Sequence, residues 1–192
     1  MALKIDICNL ALAHLGQSPL SSVTQDDERA RRISLFYEPV RDELLRTHNW
    51  GFATTEAPLA LIKKHPLTQE FLYKYPADAL FIQRVFAAGQ PHVCFEERFD
   101  IEHHTRLLIT KAGGAFAIYT RRITDETQFD ESFAGCFALA LAAELAVTLT
   151  GDYPLANMMS QKLMMRLDEA RRANMTEKTS FLPQTDAFSE VR

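Results

Sequence analysis

Residues 7–52 read ICNLALAHLGQSPLSSVTQDDERARRISLFYEPVRDELLRTHNWGF, and this region organises the rest of the chain. Apolar residues recur at three- and four-residue steps on both sides of a polar turn, which predicts two amphipathic helices. The first helix is expected to cover about residues 3–15 and to stop at Gly16. Its buried side is expected to carry Leu3, Ile7, Leu10 and Ala11.

The second helix is predicted over about residues 26–47, because the acidic run DDE (26–28) suits a helix start. Its buried side is expected to carry Ile33, Tyr37, Val40 and Leu44. Pro39 predicts a kink or a division into two pieces. Trp50 and Phe52 follow and are interpreted as structural anchors that pack the helix end onto the core. The alternative, stacking on nucleic-acid bases, lacks the interleaved basic residues that such surfaces use.

The helical period fades after residue 52 and gives way to short apolar or alternating runs, which predict strands at about 71–75, 80–87, 92–95, 107–110 and 115–120. The sequence AGG at 112–114 predicts a tight hairpin between the last two strands. A small antiparallel sheet or sandwich is therefore expected over about residues 55–122.

Helical periodicity returns in the last third of the chain. Asp130 is a candidate N-cap for a helix over residues 131–150, and Gly151 is a candidate stop. Pro154 suits the first turn of a final helix over residues 154–175. The predicted class is α+β, a four-helix body with a small antiparallel β-insertion between helices 2 and 3 and an extended C-terminal tail. One domain is expected over residues 1–178, followed by a tail over residues 179–192.

Composition restricts the function classes. A net charge of -4 argues against a protein whose main affinity is for nucleic acid. The basic clusters near residues 29–32, 121–122 and 171–172 are interpreted as solvated surface, since acidic residues accompany each one. The apolar run at 136–149 is too short to span a bilayer, and no signal peptide is expected. Cys8, Cys94 and Cys136 are expected to be buried free thiols.

The sequence offers no constellation for catalysis. Histidines and carboxylates gather at Glu102, His103 and His104, with His92 and Glu96 nearby. Adjacent histidines on a strand point to opposite faces, so a metal site is not predicted. No nucleophile elbow, Walker loop or dinucleotide fingerprint occurs. We therefore expect no enzyme activity, no cofactor, no metal and no catalytic residue.

Four methionines cluster in the predicted last helix: Met158, Met159, Met164 and Met165. Flexible thioethers suit either an irregular core or an adaptable contact surface. The core interpretation is favoured here, and the contact surface stays open as an alternative.

Several motifs in this order resemble one family. They are NLAL (9–12), HLG (14–16), YEPVRDELL (37–45), NWGF (49–52), YPADAL (75–80), ITD (123–125) and FD (129–130). Together they are similar to the head-to-tail adaptor of short-tailed phages, the tail tubular protein A family. The resemblance extends over about residues 5–175, and it rests on the order and spacing of motifs that are individually weak.

The resemblance implies a structural virion protein at the head-tail junction, made in the host cytoplasm. It implies a homo-oligomer, a ring of twelve subunits that joins the portal protein to the tail nozzle protein, with the β-insertion towards the nozzle. The ring would enclose the DNA ejection channel without sequence-specific binding and without a membrane. A mildly acidic wall would let DNA slide.

The segment 179–192 is the predicted portal-binding tail. Its apolar residues stand alone among polar ones, a pattern suited to ordering on a partner. The candidate portal contacts are Phe181, Leu182, Phe188 and Val191. A frayed terminus without a role is the simpler alternative. Two other functions remain open from the sequence, an accessory DNA-binding protein and a small metal-dependent hydrolase at the histidine cluster.

Overall fold

The computed structural model describes residues 3–101 and 104–179, with side chains through residue 176. Four α-helices lie within these residues: α1 (Lys4–His14), α2 (Glu28–Arg46), α3 (Glu131–Thr150) and α4 (Tyr153–Thr179). Eight strands lie between α2 and α3: β1 (Thr54–Pro58), β2 (Leu61–Lys64), β3 (Phe71–Lys74), β4 (Ala79–Ala87), β5 (Gln90–Val93), β6 (Phe95–Asp100), β7 (Thr105–Thr110) and β8 (Phe116–Arg121).

The ends of α3 follow from local chemistry. The Asp130 side chain accepts hydrogen bonds from the backbone N–H groups of Ser132 and Phe133, and Gly151 closes the helix with a left-handed φ of 70°. Both predictions for these positions are confirmed. In α2, Pro39 lies inside one continuous helix rather than between two pieces.

The strands form two antiparallel four-stranded sheets, with orders β1-β8-β4-β5 and β2-β3-β7-β6. Side chains from both sheets pack into one core, in which Tyr73 and Leu108 of the second sheet meet Val85 and Ala117 of the first. The β-region is therefore a sandwich with a hydrophobic core of its own.

The predicted fold class, a four-helix body with one small β-insertion, is wrong. Over residues 3–101 and 104–179 the fold is mixed α/β, with two four-stranded sheets beside four helices. The sequence underestimates the β-region because its edge strands lack alternation. All four residues of β2 are exposed, and β6 has four exposed residues between two half-buried ones. Strands without a buried face leave no period-two signal.

The predicted hairpin at residues 112–114 is also wrong. Strands β7 and β8 belong to different sheets, so this turn crosses from one sheet to the other. A Cβ on Gly113 would lie 3.1 Å from the Phe71 ring, and Gly114 has a φ of 62°. Gly113 therefore allows the backbone to pass close to the Phe71 ring, and Gly114 allows a sharp turn between the two sheets.

Helix α3 is the centre of the helical region, and α1, α2 and α4 each pack on it while making few contacts with one another. Its alanines and leucines are buried nearly all round, as expected of a core helix. It is also the one helix among the described residues long and apolar enough to cross a membrane. Most of that apolar stretch is buried against other elements, and core helices meet the same criterion.

Three predictions about burial need correction. In α1 the buried residues are Ile7, Cys8, Ala11 and Leu12, so Leu3 and Leu10 face outwards. Of the four clustered methionines of α4, only Met159 is buried; Met158, Met164 and Met165 are exposed. Cys94 is exposed, whereas the other two thiols are buried. The α1 error has a physical cause, because apolar residues occur almost all round this helix and periodicity alone cannot choose its inner side.

Candidate interaction sites

Trp50 lies at the end of α2, where the helical region meets the sandwich. It is 1% exposed, and its indole Nε1–H donates to the Leu44 carbonyl oxygen over 3.1 Å. The Phe133 ring of α3 packs edge-on at 5.2 Å between centroids, and Phe52 packs on the same Phe133 ring at 5.0 Å. Both aromatic side chains thus fix the exit of α2 onto α3. Trp50 has no face free for stacking on a base.

Charged groups join α2 to the sheet. Arg41 is 4% exposed and forms an ion pair with Asp42, which also pairs with Arg122 just after β8. Arg46 donates to the Leu80 carbonyl oxygen of β4, and its guanidinium lies over the Phe81 ring. A buried arginine needs such partners to be tolerated. These contacts set the orientation of the sandwich relative to the helices.

Helix α4 is tied to the same junction. The Asn174 side-chain oxygen accepts from the Gly51 backbone N–H at 2.9 Å, and its amide group contacts His48 and the Asn49 carbonyl oxygen. Arg171 donates to the Thr47 carbonyl oxygen at 3.2 Å. The motif NWGF is therefore held by α2, α3 and α4 together.

Asn9 performs a similar task in the first motif. Its side-chain oxygen accepts from the Leu20 backbone N–H at 2.7 Å, and its amide donates to the Leu20 carbonyl oxygen at 3.1 Å. Leu20 itself is buried. The Asn9 side chain thus satisfies both backbone hydrogen-bonding groups of Leu20, as a neighbouring strand would, and it fixes the loop between α1 and α2.

The candidate metal ligands that the structure describes do not converge. His92 and Glu96 border one open depression together with Cys94 and Glu70, while His104 borders another with Asp100. Glu96 is already paired with Arg98. Glu102 and His103 fall outside the described residues. Among the residues that are described, no group of three histidine, cysteine, aspartate or glutamate side chains is placed to hold a metal ion.

The buried titratable groups are placed as core residues. Burial raises the pKa of the Cys8 and Cys136 thiols to about 11, so both stay protonated at neutral pH. Burial, with the nearby Glu126 carboxylate, also raises the pKa of Tyr37, whose hydroxyl donates to Glu126 over 3.0 Å. The thiolate form, which is the nucleophilic form of a cysteine, is therefore scarce at pH 7 for both cysteines.

The arginines at the start of α2 each have an acidic partner. Arg29 pairs with Asp27, Arg31 with Asp26, and Arg32 with Glu28. The Arg29 guanidinium lowers the pKa of the Asp27 carboxyl to about 2. This cluster is therefore largely neutralised and offers little free positive charge to phosphates.

One aromatic surface is not apparent in the sequence. Phe86 of β4 and Phe116 of β8 stack at 5.5 Å between ring centroids, and Arg84 lies over the Phe86 ring. Strands β4 and β8 are the central pair of their sheet. Phe116 is paired with Phe86 on the side opposite to Ala117 and Tyr119, which face the core. These residues are far apart in the chain, so only strand pairing brings them together.

The portal-contact candidates Phe181, Leu182, Phe188 and Val191 lie outside the described residues.

No model of a known protein family matches the chain, and no curated protein matches it significantly.

Proposed function

We propose that this chain is a structural adaptor subunit of the head-to-tail junction of a short-tailed phage. The observation that carries the proposal is that two residues of the motifs in the resemblance, Asn9 and Trp50, make packing and loop contacts within the fold. Asn9 holds the first loop, and Trp50 joins α2, α3 and the NWGF segment. A structural protein acts through its folded shape, so we expect the residues of its sequence motifs to stabilise the fold.

The chemistry of the described residues supports a role without catalysis. Burial raises the pKa of the Cys8 and Tyr37 side chains, and His92 and His104 border two separate open depressions. Acid-base catalysis needs titratable groups that face a substrate with matched pKa values.

In the proposed mechanism, free subunits contact one another weakly and close into a ring of twelve when the portal supplies a template. Each contact would be heterologous, one face of a subunit against a different face of the next. The template raises the effective concentration of subunits, so assembly occurs at the portal and not before it. The tail nozzle would dock on the far side, and DNA would pass through the ring.

Attachment to the portal is assigned to the tail after α4. Phe181, Leu182, Phe188 and Val191 provide isolated apolar anchors in a polar segment. Such a segment can wrap along a groove and bury a few side chains at high specificity, at the cost of ordering the chain.

Negative-stain imaging tests the function. Purified portal rings of short-tailed phages are mixed with the protein, and the expected result is an added ring of density on one side of the portal. A portal treated with an unrelated protein of similar size is the control. Intact virions that carry a portal but lack this chain at the tail vertex would contradict the proposal.

A second candidate, an accessory DNA-binding protein, is favoured by one observation. Stacked Phe86 and Phe116 with Arg84 on the central strands of a sheet are the elements that proteins use to bind single strands. If this function were correct, single-stranded DNA affinity would fall steeply with salt and would be lost in Phe116→Ala. An adaptor would show neither effect.

A further inference from the structure

A groove runs along the helical region between α2 and α4, with α3 as its floor. Its volume is about 170 Å³. Ala140 and Ala143 form the floor, and their small side chains leave the space open. Val40 of α2 and Leu163 and Leu167 of α4 provide apolar walls.

Two carboxylates stand at this groove, Glu43 of α2 and Glu144 of α3. Both are exposed, and neither forms an ion pair with a described residue. One end of the groove is bridged where Arg171 donates to Thr47. The site is thus an apolar channel with unpaired negative charge beside it, suited to a partner that is apolar and basic.

An exposed apolar surface lies on another side of α3. Helix α1 meets α2 where the Lys4 ammonium sits 4.3 Å from the Tyr37 ring centroid. Helices α1 and α4 both pack on α3, and burial, together with the charge of Lys162 on α4, lowers the pKa of His14 at the end of α1. Since α1, α2 and α4 surround α3, and the groove separates α2 from α4, α1 lies on the side of α3 opposite to the groove.

We call this surface the α1/α4 patch. It combines two exposed apolar side chains of α1, Leu3 (53% exposed) and Leu10 (45%), with two of α4 that flank Lys162, Met158 (46%) and Met165 (64%). Leu10 lies one turn before His14, and the two methionines lie one turn before and after Lys162. Lys162 forms no ion pair with a described residue.

We propose that the α1/α4 patch of one copy docks into the α2/α3/α4 groove of the next copy, with Lys162 facing Glu43 and Glu144. The inference rests on the proposed adaptor function, because a closed ring needs two different faces on nearly opposite sides of each subunit. The patch and the groove are complementary in polarity and in charge, and flexible methionines adapt to an irregular channel.

A cross-linking experiment tests this contact directly. All variants carry Cys94→Ser to remove the exposed thiol, since the other two thiols are buried. One variant adds Leu10→Cys in the patch, and the other adds Ser160→Cys on the groove wall. Mixing the two at high protein concentration with a short bismaleimide is expected to give a covalent dimer, because irreversible capture accumulates a contact that is weak between free subunits. Combining both cysteines in one chain is expected to give a ladder of trimers and longer products.

Leu35→Cys is the matched control, because Leu35 is exposed on α2 and belongs to neither surface. It is expected to give at least tenfold less dimer with Ser160→Cys. Equal yields from Leu35→Cys would overturn the inference. A dimer yield from Leu10→Cys alone that equals the yield from the mixture would also overturn the inference. That dimer would require the α1/α4 patches of two copies to contact each other.

Charge reversal adds a second readout. Lys162→Glu on the Leu10→Cys copy, or Glu144→Lys on the Ser160→Cys copy, is expected to reduce the dimer several-fold. The two reversed copies mixed together should recover most of the yield. Reduced yields without recovery would contradict the assigned pairing.

These experiments separate the inference from the function on which it rests. Decorated portals combined with cross-linking no higher than the control would leave the adaptor role standing and remove this contact. Strong cross-linking combined with bare portals would retain the contact and remove the adaptor role.

Discussion

Asn9 and Leu20 are joined by two hydrogen bonds, one donated and one accepted by the Asn9 side chain, at 3.1 and 2.7 Å. The two residues are eleven positions apart in the chain, and Leu20 is buried. Their hydrogen bonds therefore fix the loop between α1 and α2. The Asn9 of the first motif, NLAL (9–12), therefore has a structural role, independent of any ligand.

Asn9→Ala is expected to lower the free energy of unfolding by about 1–3 kcal/mol, because two partly buried backbone groups lose their partner. Urea unfolding followed by circular dichroism measures the change. Asn157→Ala, an exposed asparagine in α4, is the matched control and is expected to change stability by less than about 0.5 kcal/mol. Equal effects of the two substitutions would show that the Asn9 contacts contribute nothing.

Trp50→Ala is expected to cost about 3–5 kcal/mol, since it removes a large buried ring and the hydrogen bond to Leu44. Circular dichroism measures this variant, because the substitution removes the single tryptophan. In the natural chain, Trp50 emission is expected to be blue-shifted and to move to longer wavelength on unfolding. Phe99→Ala, an exposed aromatic, is the control. A red-shifted emission from the folded protein would contradict the burial of Trp50.

Alkaline pH is expected to destabilise the fold through Cys8 and Cys136. Burial raises the pKa of each thiol from 9.0 to about 11, so above pH 9 the unfolded chain releases protons that the folded chain retains. Stability is therefore full below pH 9 and is lost as the pH rises towards 11. Linkage gives a combined loss of about 1–2 kcal/mol by pH 9.5.

The check is the urea midpoint at pH 8 and pH 9.5. The double variant Cys8→Ala, Cys136→Ala should lose less stability over this interval than the natural chain does. Cys94→Ala, which removes an exposed thiol, should behave like the natural chain. The same loss in all three proteins would show that other groups cause the alkaline effect.

The fold was predictable where local chemistry decides it. Asp130 and Gly151 mark the ends of α3 by capping, which depends on a few neighbouring atoms. The inner side of α2 was predicted correctly because its polar and apolar residues are well separated. The inner side of α1 was not, because that helix is apolar almost all round and tertiary packing alone decides which residues turn inwards.

The candidate sites were predictable to a smaller extent. The stack of Phe86 on Phe116 and the groove floored by Ala140 depend on residues brought together by tertiary structure. The edge strands β2 and β6 carry no apolar alternation, so the second sheet was underestimated. Exposure of Met164 and Met165 also escaped prediction, since a methionine suits a core and a surface equally well.

Deletion of the residues after Lys178 is expected to leave the fold intact and to abolish portal attachment. Within the part of the chain whose side chains are described, the hydrophobic core uses no residue beyond Ala170, so the melting temperature should stay within a few degrees. Pelleting with portal rings measures attachment. Phe181→Ala combined with Phe188→Ala should reduce it at least tenfold, because isolated apolar anchors dominate the binding of such a segment. Gln184→Ala combined with Thr185→Ala, in the same segment, is the control. Unchanged attachment of the truncated protein would remove the portal role of the tail, and an unfolded truncated protein would show that residues 179–192 belong to the fold.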